Sequence, residues 1–222
     1  MSTDEPTVAR APVDEAVEAP GADGSPRARR PLSLERIVSA AIDLIESEGP
    51  DALSMRRLAA RLGSSTMATY HHVADRQALM EAIGAHLMAE LDPDASPAAT
   101  DGTPAVAGRI PPGGAPWTEL VRTEVTAFLE LSRRHPATFA ALLRTRPTAL
   151  VVRVEAIAVD LMAAGLGEAD ARLVVRTTAR YLMGSVMGEE AAVAAGQTLD
   201  EMNESFEFGL GALLEGMSGR LG

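Results

Sequence analysis

Gly63 constrains this chain more than any other single residue. It closes a short helix, SMRRLAARLG (54–63), because glycine tolerates positive φ, and a second short helix follows almost at once, at about 65–71. Ser54 is a natural N-cap for the first. Upstream, LSLERIVSAAIDLIESEG (32–49) is a longer helix with Ser33 as its cap and Arg36 where a capping-box glutamate would stand. Ile37, Ala40, Ala41, Leu44 and Ile45 recur at helical spacing on one face, and Gly49-Pro50 ends the run. Downstream, Asp75 caps a long fourth helix, RQALMEAIGAHLMAEL. Two short helices joined by a tight turn and braced by a longer one make a helix-turn-helix.

Beyond this unit the chain is again helical in pattern, over 117–134, 136–144, 148–164, 168–194 and 199–216. Breaks fall at His135-Pro136, Arg146-Pro147, Gly165-Leu166-Gly167 and near Gly196. There is no alternating pattern of the kind a strand requires, so the fold class expected is all-α. Residues 1–26, rich in Ala, Pro, Asp and Glu, lack a period and are expected to be disordered. RARRP (27–31) is a short basic arm, open to reading as a solvated tail or as a DNA-contacting arm. Residues 92–116, rich in Pro, Gly and Ala, read as a flexible linker. The expected organisation is a tail with basic arm (1–30), a three-helix helix-turn-helix domain (31–76) and a helical ligand-binding and dimerisation domain (77–222).

Aromatic residues make up only 3% of a chain that is 46% apolar, so the core must be built from Leu, Ala, Val, Ile and Met. No cysteine is present, which excludes disulfides and cysteine-ligated zinc. No apolar run is long enough for a transmembrane helix and no signal peptide is evident, so no membrane partner and a cytoplasmic location are expected. The net charge of −11 argues against nucleic-acid binding through bulk charge. Its distribution changes that reading: residues 27–76 carry eight arginines against six acids, and residues 77–222 eleven against nineteen. The acidity lies outside the helix-turn-helix.

In such a unit the second short helix enters the major groove, whose base edges call for small or hydrogen-bonding side chains. Thr66, Met67, Ala68 and His71 fit that requirement. Tyr70 and His72 suit phosphates. Arg76 can pair with a phosphate at the start of the fourth helix, whose N-terminus adds partial positive charge. A metal site at His71-His72 is disfavoured, because neighbours on a helix point about 100° apart.

The stretch LSMRRLAARLGSSTMATYHHVADRQALMEAI resembles the TetR family of transcriptional repressors. The matching features are Ala59 and Gly63 of the turn, the Tyr70-x-His72-Val73 signature and the basic residue opening the fourth helix. The resemblance implies a homodimer on a palindromic double-stranded DNA operator, released by a ligand in the C-terminal domain. Carried over by position, it implies base contacts from Arg56, Thr66, Met67 and His71, and phosphate contacts from Ser54, Tyr70, His72 and Arg76.

Past the linker, WTELVRTEVTAFLELSRRHP, RTRP and LMGSVMGEE are similar to segments of the tetracycline-repressor type of that family, with Phe128 and Thr145 in matching ligand positions. Glu124, Leu142 and Arg180 stand where that type has polar and metal-binding groups, and its magnesium-holding histidines are missing. No metal, no cofactor and an effector other than tetracycline are therefore expected. An apolar pocket is expected instead, with Met88, Trp117, Phe128, Leu142, Thr145, Met162, Met183 and Met187 as candidate walls, although methionines at helical spacing also read as plain core. Glu124 and Arg180 are the candidate orienting groups. The last two helices, with Ala171, Ala179, Gly184 and Gly188, suit a four-helix dimer interface. The leading expectation is an effector-responsive dimeric repressor. The alternative is a small-molecule scavenger with a vestigial DNA-binding domain. No catalytic constellation can be placed, so an enzyme is not expected.

Overall fold

The computed structural model describes residues 31–91 and 116–221, the side chain of Glu190 excepted. The N-terminal tail, the basic arm short of Pro31, and the linker short of Pro116 lie outside the described residues. Among the described residues there are nine α-helices and no strand. The first four are α1 (Leu34–Glu48), α2 (Met55–Leu62), α3 (Thr66–Tyr70) and α4 (Arg76–Glu90). A 3₁₀ turn, Pro50–Ala52, leads into α2. After the linker come α5 (Trp117–Arg134), α6 (Pro136–Thr145), α7 (Thr148–Ala163), α8 (Glu168–Ala194) and α9 (Leu199–Leu221).

The N-terminal helices begin where their own side chains can cap them. Backbone N–H groups of Arg36, Arg57, Ala68 and Ala78 donate to Ser33 (3.3 Å), Ser54 (3.3 Å), Ser65 (3.1 Å) and Asp75 (2.8 Å). Gly63 ends α2 at φ 62°, the left-handed conformation that glycine adopts without strain. α9 opens on a reciprocal pair: Glu201 accepts from the Thr198 backbone N–H at 2.8 Å, and Thr198 Oγ1 accepts from the Glu201 backbone at 3.3 Å. That backbone bond holds the Glu201 carboxyl below its ordinary range. The helix then runs five residues past the expected end at 216, through Gly216 and Gly219. Met217 and Leu221 pack against the core there, so tertiary contact overrides the low helix propensity of glycine.

The core is aliphatic, as the scarcity of aromatics requires. Ile37 and Ile45 of α1, Leu58 of α2, and Leu79, Ile83 and Leu87 of α4 are fully buried. They belong to the same apolar cluster as Leu131, Leu142, Leu161, Leu210 and Leu214 of the later helices. α4 is the shared element. Its Gly84 faces the start of α7 so closely that a Cβ there would lie 2.5 Å from Pro147 Cγ. Just before that proline, Arg146 takes φ 48°, and its backbone N–H donates to Leu142 O at 2.8 Å. A residue with a side chain is strained at that φ, and the packed corner between α6 and α7 holds it there.

Candidate functional site

The α2–Gly63–α3 unit turns α3 outward. Met67 is 68% exposed and Tyr70 45%, and His71, His72 and Arg76 are exposed beside them. Thr66 and Ala68 are half-buried. Thr66 and Tyr70, and Met67 and His71, are each one turn apart and share a side. Two residues pin the helix from beneath. Val73 is buried, as its apolar character suggests. Thr69, which the sequence did not single out, is fully buried, and its hydroxyl donates to Ser65 O at 3.3 Å. The outward face is thereby fixed with no large apolar group of its own in the core.

The charged groups around α3 are more committed than their sequence positions suggest. Ser54 Oγ serves as the α2 cap. Arg57 pairs with Glu48, whereas Arg56 points to solvent. Arg76 Nη2 donates to Pro50 O at 3.3 Å, which ties the start of α4 to the turn ahead of α2. That bond uses one of the five guanidinium donors. The partial positive charge expected at the α4 N-terminus is met by the carboxylate of Asp75 itself, so it is offset rather than open to a phosphate.

A second feature lies between α5, α6, α7 and α8. Val121, Glu124, Val125 and Phe128 of α5, Phe139 and Leu143 of α6, Leu150, Val154 and Ile157 of α7, and Val175, Thr178, Ala179, Leu182 and Met183 of α8 enclose about 630 Å³, its mouth included. The walls are almost wholly apolar. Thr178 spends its hydroxyl on Val174 O (2.9 Å) and Val175 O (3.2 Å). Glu124, 7% exposed, is the one charged group on the wall among the described residues. Arg153 of α7 grips it, with Nη2 2.8 Å and 3.0 Å from its two carboxylate oxygens and Nε 3.2 Å away. Both residues also line a more polar space with Leu91, Glu119, Leu120, Thr123 and Ala127. The ion pair thus lies between a strongly apolar cavity and a more polar one.

Of the residues expected to form the pocket, the structure brings Glu124, Phe128 and Met183 to this cavity. The others lie elsewhere. Met88 and Leu142 are core residues, Leu142 in contact range of Gly84. Trp117 and Met162 pack half-buried against the core. Thr145 is exposed, and its hydroxyl donates to Ala141 O at 2.9 Å within its own helix. Arg180 follows Ala179 by one residue, about 100° around the helix, and is exposed. Met187, one turn beyond Met183, has passed the cavity and is 78% exposed. Arg153 is the principal group that the sequence reading missed; its signal was an arginine set among apolar residues in LVVRV (150–154). Among the described residues no group of three or more His, Cys, Asp or Glu side chains is gathered as a metal ion would require.

Residues 37–83 match the family model described as bacterial regulatory proteins, tetR family. An HTH-type transcriptional regulator of Saccharopolyspora erythraea is 31% identical over 166 residues, 71% of this chain and 61% of that protein, so the match spans under two thirds of that relative. The class E tetracycline repressor protein of Escherichia coli is 24% identical over 209 residues, 86% of this chain and 92% of the relative. Among solved structures, a TetR variant of Acinetobacter baumannii AYE in complex with minocycline superposes at a TM-score of 0.62 with 22% identity, covering 86% of this chain and 99% of the other. BioQ with its double-stranded DNA operator does so at 0.56 with 23% identity, covering 85% and 99%. At those identities the structural likeness speaks for the fold alone. Residues 37–83 thus match the N-terminal region of the tetR-family regulators, and the chain beyond them is similar in sequence to transcriptional regulators and in fold to TetR.

Proposed function

We propose that the chain is a dimeric, effector-responsive repressor that docks α3 in the major groove of a palindromic operator and is released by a small apolar or amphipathic molecule. The observation that carries this reading is the outward face of α3, held by Thr69 and Val73 so that Met67 and Tyr70 meet solvent. An exposed methionine and tyrosine on a five-residue helix have no role in the core, and base edges and phosphates suit them. Thr66, Met67, Ala68 and His71, with Arg56, are the base-facing set. Tyr70, His72, Arg76 and Ser54 face the backbone. Exposed apolar side chains along α8 and α9, among them Leu173, Met187, Val193 and Phe208, support pairing of these helices with a second copy. BioQ with its operator supports the mode of DNA binding by analogy of fold.

The cavity between α5, α6, α7 and α8 supports an apolar effector. Its walls offer almost no polar partner, and Arg153 already engages both carboxylate oxygens of Glu124, so an effector seated there has a largely apolar body. Tetracycline is not the effector of this reading, because the histidines that hold magnesium in the tetracycline-repressor type are missing here. Effector binding works by favouring a conformer whose recognition helices no longer match adjacent grooves, and only differential affinity for the two conformers shifts that equilibrium.

A gel shift on duplex flanking its own coding region, at two salt concentrations, tests the reading. A repressor prefers that duplex to random sequence, and its binding weakens as salt rises because phosphate contacts release counterions. Equal binding to both duplexes overturns it in favour of a scavenger with a vestigial DNA-binding domain.

A further inference from the structure

Helices α6 and α7 supply five of the cavity walls, and neither closes its own N-terminus. α6 is preceded by His135 and α7 by Pro147, and neither residue makes a side-chain cap. The first N–H groups of a helix need partners, and here they come from the N-terminal helices. Glu46 of α1 takes both of its bonds from α6: Thr138 N–H donates to Oε1 at 2.8 Å and Ala137 N–H to Oε2 at 3.1 Å. Glu81 of α4 accepts from Thr148 N–H of α7 at 2.8 Å. One turn along α4 on the same side, Gly84 meets the Pro147 ring. A carboxylate at a helix N-terminus also answers the partial positive charge of the peptide dipoles. Two of the four helices that wall the cavity, α6 and α7, therefore begin on carboxylates held by α1 and α4, the helices on either side of the α2–α3 unit.

We propose that Glu46 and Glu81 are positioning residues that couple the cavity to the DNA-reading unit. This rests on the repressor reading above. The position at which α6 and α7 start is set by α1 and α4, and a molecule that shifts either cavity helix pulls on these three N–H···O bonds. α4 is the most direct route, because it begins at Arg76, three residues after the buried Val73 that anchors α3. Coupling of this kind is reciprocal: operator binding changes the affinity of the cavity by the same factor as cavity occupancy changes operator affinity.

The test uses the full chain, Nile red as a neutral apolar probe of the cavity, and the duplex selected by gel shift. The dissociation constant of the dye is measured with and without saturating duplex, and the ratio is the coupling factor. The unaltered protein is expected to show a factor of about ten. In Glu46→Ala/Glu81→Ala the factor falls to about two or less, while dye affinity without duplex and duplex affinity without dye each stay within about threefold, because neither residue touches either ligand. A purely structural role would instead lower both affinities and leave their ratio alone. Glu46→Gln/Glu81→Gln keeps side-chain size and one acceptor oxygen per residue. It carries the test if the alanine protein does not fold, with an intermediate factor expected. An unchanged factor in folded variants overturns the coupling role of the two glutamates and leaves the repressor reading standing. A factor of one in the unaltered protein overturns the effector-responsive reading and this inference with it.

Discussion

The face of α3 and the cavity are built on opposite plans. The α3 face is a handful of adjacent residues, 66 to 72, displayed by one turn of helix and held from beneath by Thr69 and Val73. The cavity draws its walls from four helices, and residues that touch the same space, such as Val121 and Leu182, are far apart in the chain. A site of the first kind is local and tolerant: its side chains change without disturbing the fold. A site of the second kind is a defect in packing that the surrounding core must sustain, so its residues bear on stability as well as on binding.

The largest effect expected from breaking this contrast is at the cavity. Arg153→Ala leaves Glu124 buried without its main counter-charge and costs about 3–5 kcal/mol, read as a drop in the urea midpoint. Arg153→Met combined with Glu124→Leu removes both charges and recovers most of that loss. At the joint between the two regions, Gly84→Ala forces a methyl against the Pro147 ring and costs about 1–3 kcal/mol by the same measurement. On the α3 face, His71→Ala changes discrimination between operator and base-substituted duplexes by about 1–3 kcal/mol. Its unfolding midpoint shifts by less than about 0.5 kcal/mol. A large loss of stability there would place His71 in the core and erase the contrast. The smallest effect is at Thr138, whose buried hydroxyl has no hydrogen-bond partner among the described residues. Thr138→Val is neutral or stabilises by up to about 1 kcal/mol, because it removes a polar atom that gains nothing from burial.

The same contrast governs what could be read from the sequence. Caps, turns and short-range spacing are local, so Ser33, Ser54, Gly63 and Asp75 mark their helix ends correctly, and Val73 is legible as an anchor. The buried stripes of the later helices are legible too: Leu150, Val154 and Ile157 recur at intervals of four and three, as do Val121, Val125 and Phe128 at four and three. What no stripe records is that four of them fail to close over one another, because that depends on the distances between helix axes. Met183 lines the cavity, whereas Met187, one turn further along α8, and Arg180, one residue past Ala179, face solvent. The pairing of Glu124 with Arg153, and the caps from Glu46 and Glu81, join residues that sequence spacing cannot bring together.

The closeness of Gly84 and Pro147 also constrains descent. Neither position is free to change alone: a side chain at the first needs the ring at the second to be absent or displaced, and the ring persists only while the first stays bare. Across relatives of this chain the two positions should therefore change as a pair, a historical trace of one packing contact between helices that are distant in sequence.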